Sequence, residues 1–281
     1  MATRTAQMFY LPFSGAILSL SLSPPSRLLV AIVFGNAHIF YTYFYLFKSR
    51  KLSLVRLIGS LFISVVLLLA SFTLISHKWL AISVGSLFGW HLWADEMKLS
   101  KEPKTWPQIF NGLGLACLLG LSLYKQYFGF EWASATALGL GSVFFTSNFY
   151  PRRRVPLTSA CLFGFAVLGL LLHLRITGDR LVLTFIFYHY FRWIMNGFSE
   201  DRRKINVFSL RTEILLAHAL SAIGFFVLVR YLPDSFLLPS FYSATGFLCW
   251  TFGHLLTSGR WHKTELPETR ANFPNTVTGA P

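Results

Sequence analysis

Residues 54–76 read LVRLIGSLFISVVLLLASFTLIS, an apolar run that contains a single charged side chain, Arg56. At the α-helical rise of about 1.5 Å per residue, this run is long enough to cross the hydrocarbon core of a bilayer, which is about 30 Å thick. Eight further runs of this kind lie at 27–47, 79–97, 107–127, 131–150, 155–175, 180–198, 211–231 and 237–259. The sequence therefore predicts an all-α, polytopic transmembrane helix bundle of about nine spans with short loops.

The amino-acid composition also indicates a protein embedded in lipid. Of the 281 residues, 54% are hydrophobic and 13% are charged, which is about half the charged fraction of a soluble domain. A net charge of +14 would favour nucleic-acid binding in a soluble protein, but here the basic residues lie in loops between apolar runs. The lipid bilayer is therefore the expected partner, and nucleic acid is not.

The basic residues predict how the spans are oriented. Alternate loops are rich in Lys and Arg, in clusters at 48–56, 98–104, 152–154 and 202–211, and the C-terminal tail adds further basic residues. Because cytoplasmic loops carry an excess of positive charge, these loops and the C-terminus are expected in the cytoplasm. We expect an integral, multi-pass protein of a bacterial cytoplasmic membrane.

The chain divides into three predicted parts. Residues 1–26 are expected to form an interfacial or re-entrant segment, because their apolar stretch contains Pro12 and is short for a span. Residues 27–262 are expected to form the transmembrane helical domain. Residues 263–281 are polar with three prolines, which is typical of a disordered tail.

Five histidines lie inside predicted spans, where an ionisable side chain is costly and is therefore a candidate for function. They are His38, His91, His189, His218 and His254. The predicted topology places all five at one depth, or within about two helical turns of it. Because neutral imidazole is a common ligand of iron, these five histidines are the predicted metal ligands.

Three charged residues near the histidines are predicted to act in catalysis. Asp95 lies four residues after His91 and shares its helix face, and Glu213 lies five residues before His218. Arg192 lies on a polar stripe of the seventh run, Tyr188-His189-Tyr190-Phe191-Arg192-Trp193-Ile194-Met195-Asn196. Imidazoles and carboxylates held together on helices are typical of non-haem iron centres, so Fe2+ is the expected cofactor.

Each of these residues also has a structural interpretation. An intramembrane histidine often serves as a hydrogen-bond partner between helices. Asp95 and Glu96 are suited to balance Lys98 at the membrane interface, and Glu96 is expected to point away from the face that carries His91. The long side chain of Arg192 is suited to reach the interface as an anchor.

Three short patches carry isolated histidines in separate spans: Gly35-Asn36-Ala37-His38, Gly89-Trp90-His91 and Tyr188-His189-Tyr190-Phe191-Arg192-Trp193. In type and order they resemble patches of the bacterial β-carotene-cleaving dioxygenases of the Brp/Blh type. An acidic residue expected four positions after the first histidine is Thr42 here, and no paired late histidines follow. The resemblance implies a multi-pass helical enzyme with histidine-bound iron and a lipophilic, carotenoid- or lipid-like substrate.

These observations favour an integral membrane metalloenzyme, a non-haem iron oxygenase that acts on a lipophilic small molecule through an intramembrane histidine cluster. The HxxxH and HxxHH boxes of membrane desaturases are absent, and the ninth run has no lysine that could bind retinal. A proton-coupled transporter that uses the histidines as a relay is one alternative. A non-catalytic membrane subunit or assembly factor is another, and a haem b protein with two histidine ligands is a third.

Overall fold

The computed structural model describes residues 14, 17, 18, 21–48, 53–71, 73–100, 106–133, 136, 177–200 and 210–261. All regular secondary structure in these residues is helical, which confirms the predicted all-α class for this part of the chain. The helices are α1 (Pro24–Lys48), α2 (Leu54–Ser71), α3 (His77–Ser100), α4 (Trp106–Phe128), α5 (Gly178–Glu200), α6 (Leu210–Tyr231), α7 (Leu237–Tyr242) and α8 (Ala244–Trp261).

Several predicted segments lie outside the described residues. They are the run 155–175, most of the run 131–150, the tail 263–281 and most of the segment 1–26. The last three residues of that N-terminal segment, however, already belong to α1, which begins at Pro24. Proline is well suited to this position, because the first turn of a helix has no partner for its N–H groups.

Three of the described helices are long and apolar enough to cross a membrane: Pro24–Phe47, Leu54–Ser71 and Thr212–Tyr231. In the second and third of these, only 17% and 6% of the most apolar window is buried within the protein. Large apolar side chains such as Phe62 and Phe226 therefore lie on the outside, 66% and 63% exposed. An outer surface of this kind agrees with a membrane protein, although the described helices that meet these criteria are fewer than the nine spans predicted.

The ninth predicted run is two helices rather than one. The backbone at Ser243 is extended, with φ −91° and ψ 161°, so α7 ends there and α8 begins. The Ser243 hydroxyl accepts a hydrogen bond from the backbone N–H of Gly246 at 3.0 Å, as a helix N-cap does. The prediction of a single span over 237–259 was wrong, because serine capping is a local effect that hydropathy does not report.

Five helices form a closed ring. In this ring α3 packs on α4, α4 on α5, α5 on α1, α1 on α8, and α8 again on α3. The helices α2 and α6 lie outside it, with α2 packed on α8 and α6 packed on α1 and α5. The ring therefore encloses an interior, and α2 and α6 pack on its outside.

A cavity of about 420 Å³ lies inside the ring. Its lining includes the first residues of four helices and one of the last residues of α4. We name this end of the cavity the rim and define it by Pro24, His77, Tyr127, Asp179 and Ala244. The helices α1, α3, α5 and α8 therefore all run away from the rim, whereas α4 runs towards it.

Glycine allows α3 and α4 to pack with their backbones in contact. A methyl group on Gly89 would lie 2.7 Å from the backbone oxygen of Leu115 and 2.8 Å from the Cα of Ala116. Since both neighbouring atoms belong to the backbone of α4, a side-chain rotation cannot relieve the overlap. Close approach through small residues is a common way in which membrane helices pack.

Replacing Gly89 by alanine is expected to lower the free energy of unfolding by about 1–3 kcal/mol, because α4 must move to admit the methyl group. Gly59→Ala is the matched control, since no atom lies within 4 Å of a Cβ placed there. That variant should be neutral or stabilised by up to about 1 kcal/mol, as alanine favours the helix. Thermal unfolding of the purified protein, followed by circular dichroism, measures both. Equal midpoints would contradict the packing described.

Candidate metal centre

The structure brings together four of the five histidines predicted as metal ligands. They are His38 on α1, His91 on α3, His189 on α5 and His254 on α8, and each is 4–5% exposed. Each lies 10–14 residues after the first residue of its helix. Because these four helices all start at the rim, a similar distance along each of them places the four imidazoles at one level of the ring.

The four imidazole rings contact one another. The ring centroid of His38 lies 4.9 Å from that of His189 and 5.1 Å from that of His254. The ring of His91 lies 5.1 Å from His189 and 5.6 Å from His254. We refer to these four residues as the histidine cluster.

Asp95 completes a group of possible metal ligands with two members of the cluster. Its Oδ2 lies 3.2 Å from Nε2 of His91 and 3.9 Å from Nδ1 of His189. One ligand atom from each of the three residues fits within 4.8 Å of the other two. The spacing of four residues between His91 and Asp95 puts both side chains on the same face of α3, as the sequence predicted.

The donor set and its spacing suit a metal ion. Nitrogen and oxygen ligands bind first-row metals at about 2.0–2.2 Å, so two ligands of one ion lie about 3 Å apart. His91 and Asp95 already have this separation, and Nδ1 of His189, 3.9 Å from Oδ2 of Asp95, would have to move closer. Nδ1 of His91 is buried without a hydrogen-bond partner, while its Nε2 lies against the carboxylate of Asp95. A buried polar group without a partner is uncommon, and ion binding is one explanation for it.

His218 and Glu213 lie apart from this group. Both are on α6, outside the ring, and the Nδ1 of His218 lies 2.8 Å from the backbone oxygen of Ile214 in its own helix. The ring of His218 packs against Trp193, with the centroids 6.2 Å apart, and Trp193 in turn packs against His38. The Oε2 of Glu213 accepts a hydrogen bond from the hydroxyl of Tyr41 at 3.1 Å.

Arg192 lies behind the cluster in a buried ion pair. Its Nε donates to Oε1 of Glu96 at 3.2 Å, and the hydroxyl of Tyr188 donates to the same oxygen at 2.7 Å. The side chains of Arg192 and Glu96 are 7% and 3% exposed, so neither reaches the membrane interface. Glu96 is therefore a buried partner of α5 rather than an interfacial charge.

Sequence reasoning missed Glu96 and Tyr188 as parts of the site. One signal was present: Tyr188 and Arg192 are four residues apart and so share a face of α5 that needs a polar partner. The sequence contains no information on which helix supplies that partner, because chain order does not give the neighbours of a helix.

The floor of the cavity is formed by the histidine cluster, and its walls are apolar. Phe88, Leu123, Val182 and Phe247 are among the wall residues, and all four are buried. An apolar shaft thus leads from the rim to the imidazoles. Such a shaft, with a few polar groups at one level, is the usual form of a site for a lipophilic molecule.

Comparison of the chain with protein-family models, with curated proteins and with solved structures finds no match in any of the three. The chemistry of the site is therefore inferred from its own residues.

Removing Glu96 is expected to be costly, because Arg192 would be left as a buried charge without its partner. Glu96→Ala should lower the free energy of unfolding by about 3–5 kcal/mol. Glu131→Ala is the control, since Glu131 pairs with Lys125 at 2.9 Å but is 81% exposed, and its loss should cost no more than about 1 kcal/mol. Chemical unfolding of both variants in the same detergent measures the difference. Similar losses in the two variants would show that the Glu96 pair has no structural role.

Proposed function

We propose that the protein is an integral membrane metalloenzyme in which His91, His189 and Asp95 hold a divalent metal, Fe2+ in the first place. Two histidines and one carboxylate form the ligand set of many non-haem iron oxygenases, which leave the remaining positions open. The observation that carries the proposal is that this set lies at the end of an apolar cavity. The metal, when bound, would supply the activation of dioxygen.

His38 is proposed to orient His189 rather than to bind the metal. The Nε2 of His189 lies 3.3 Å from the Nε2 of His38, while its Nδ1 faces Asp95. A neutral imidazole has one N–H and one acceptor nitrogen. If His189 binds the metal through Nδ1, its Nε2–H donates to Nε2 of His38, which fixes both the tautomer and the ring plane.

The cavity walls support an oxygenase that acts on a lipophilic substrate. Phe88 packs edge-on against the ring of His189, with the centroids 5.7 Å apart, and Trp193 packs edge-on against His38 at 4.7 Å. These rings limit the movement of the imidazoles and exclude water from the floor. A water-poor floor favours an apolar substrate and strengthens the electrostatic interactions of the carboxylate of Asp95.

We further propose that the ring helices cross the bilayer together with the three apolar helices, with the C-terminus in the cytoplasm. The ring helices are less apolar because their inner faces carry site residues such as His91 and His189, whereas large apolar side chains such as Phe44 and Phe110 are exposed on the outside. The basic loops set the orientation. A green fluorescent protein fused to the C-terminus should fluoresce in bacterial cells, and export without fluorescence would contradict this topology.

The metal site predicts which histidine variants lose iron. After anaerobic loading with Fe2+ and removal of unbound metal, the purified protein should hold about one iron per chain, and His91→Ala and His189→Ala should hold none. His38→Ala should bind iron about 10–100-fold more weakly, because only the orientation of a ligand is lost. Inductively coupled plasma mass spectrometry measures the iron content.

His218→Ala is the control for this series, since His218 lies outside the ring and should leave iron binding unchanged. Nitric oxide added to the ferrous protein should give the electron paramagnetic resonance signal of iron with an open position. Iron that persists in both His91→Ala and His189→Ala would refute the proposed ligand set. A chain that never binds metal would favour the alternative, a proton relay through the paired imidazoles of His38 and His189.

A further inference from the structure

The cavity inside the ring has polar groups at both ends and apolar walls between them. The histidine cluster forms the floor, while Asp179, His77 and Tyr127 lie at the rim. Asp179 and His189 are ten residues apart on α5, so the rim and the floor are separated by about 15 Å. A ligand that fills this space must be long, apolar in its middle and able to form hydrogen bonds at the rim.

Asp179 offers a hydrogen-bond acceptor at the rim. The Asp179 side chain is 44% exposed, its Oδ1 has no hydrogen-bond partner in the protein, and its Oδ2 lies 3.8 Å from Nη1 of Arg27. Arg27 is 1% exposed and its Nη2 donates to the backbone oxygen of Leu22 at 3.0 Å. The carboxylate of Asp179 therefore has capacity to accept a hydrogen bond from a donor on a ligand.

The charges at the rim favour an uncharged ligand group. The guanidinium of Arg27 offsets the carboxylate of Asp179, so the pair offers no net charge to a ligand ion. The imidazole of His77 is hydrogen-bonded to the hydroxyl of Thr245 at 3.1 Å. A fatty-acid carboxylate would be repelled by the carboxylate of Asp179, which lines the cavity. An ammonium group would gain little, because the buried guanidinium of Arg27 already offsets that carboxylate. A hydroxyl group carries no charge and can donate to Oδ1 of Asp179.

We propose that the cavity binds a linear lipophile with one terminal hydroxyl group, with the hydroxyl at Asp179 and the apolar end at the histidine cluster. Binding of this molecule does not depend on the proposed function. Only the reaction that follows binding rests on the proposed function. The end of the molecule that lies against the metal ligands is the apolar one, so the substrate would be modified at the end opposite its hydroxyl.

Photolabelling with two forms of dodecanol tests the orientation. In one form a diazirine is placed at the end opposite the hydroxyl, and in the other it is placed next to the hydroxyl. With metal-free wild-type protein, the first should form adducts at residues beside the histidine cluster, such as Phe88 and Tyr190, and the second at rim residues such as Tyr127 and Ala244. Mass spectrometry of the digested protein identifies the adducts.

Competition and substitution experiments test whether the hydroxyl group binds at Asp179. Unlabelled dodecanol should suppress both sets of adducts, whereas dodecane and dodecanoic acid should require about tenfold higher concentrations, since each lacks the hydrogen bond to Oδ1 of Asp179. Asp179→Leu should weaken labelling by dodecanol by a similar factor. Asp234→Leu, which removes an exposed acid outside the ring, is the matched control and should have no effect.

Three results would overturn the inference. They are reversed adduct positions, equal competition by dodecanoic acid, and adducts confined to the outer groove between α1 and α6, where Phe44 and Leu216 lie. If Asp179→Leu does not fold, the adduct positions in the wild-type protein decide the question alone. Because labelling needs no metal, correct labelling in a chain that binds no iron would refute the proposed function but not this inference. Iron binding without labelling would refute this inference but not the proposed function.

Discussion

The arrangement of the site depends on the buried ion pair between Glu96 and Arg192. The helices α3 and α5 stand on either side of the cavity, and this pair, together with the hydroxyl of Tyr188, is a direct polar link between them. A charge buried in an apolar bundle must keep its partner, so the pair fixes the rotation of both helices about their axes. Asp95 is adjacent to Glu96, and His189 lies three residues before Arg192. Once the pair is formed, the carboxylate of Asp95 and the imidazole of His189 therefore face each other.

In addition to the ion pair, small residues shape the site because they allow helices to pack closely around it. A methyl group on Gly35, three residues before His38, would overlap with both Tyr190 and Phe247, so the absence of a side chain makes room for these rings beside the imidazole. Gly89 has the same role two residues before His91, where it meets the backbone of α4. Two of the histidines, His38 and His91, thus lie just after a glycine that admits a neighbouring helix. These glycines have a packing role beside the histidine cluster.

The sequence predicted the depth of the histidines but not their neighbours. Hydropathy and the basic loops were enough to place His38, His91, His189 and His254 at a common level, and the structure has them there. His218 shares that depth in the prediction, yet it lies on α6 outside the ring, because the order of helices around a bundle is set by packing between distant segments. The neighbours of Arg192 could not be predicted from the sequence either. An arginine that anchors at the membrane interface and one that faces the bundle interior occur in similar sequence patterns. Hydropathy did not predict the division of the ninth run into two helices. The division depends on a local feature, the helix cap formed by the hydroxyl of Ser243.

Buried polar groups have hydrogen-bond partners where α2 packs on α8, whereas groups without partners lie in the cavity and also elsewhere, for example Nε1 of Trp93 and Oγ of Ser235. Where α2 packs on α8, Ser60 contacts the hydroxyl of Tyr43 at 2.6 Å and that of Thr257 at 2.6 Å, so polar groups in this interface have partners. In the cavity, Nδ1 of His38 and Nδ1 of His91 are buried without hydrogen bonds. Leaving such a group open costs about 1–3 kcal/mol, and a ligand that these nitrogens bind, as we propose, would recover that cost.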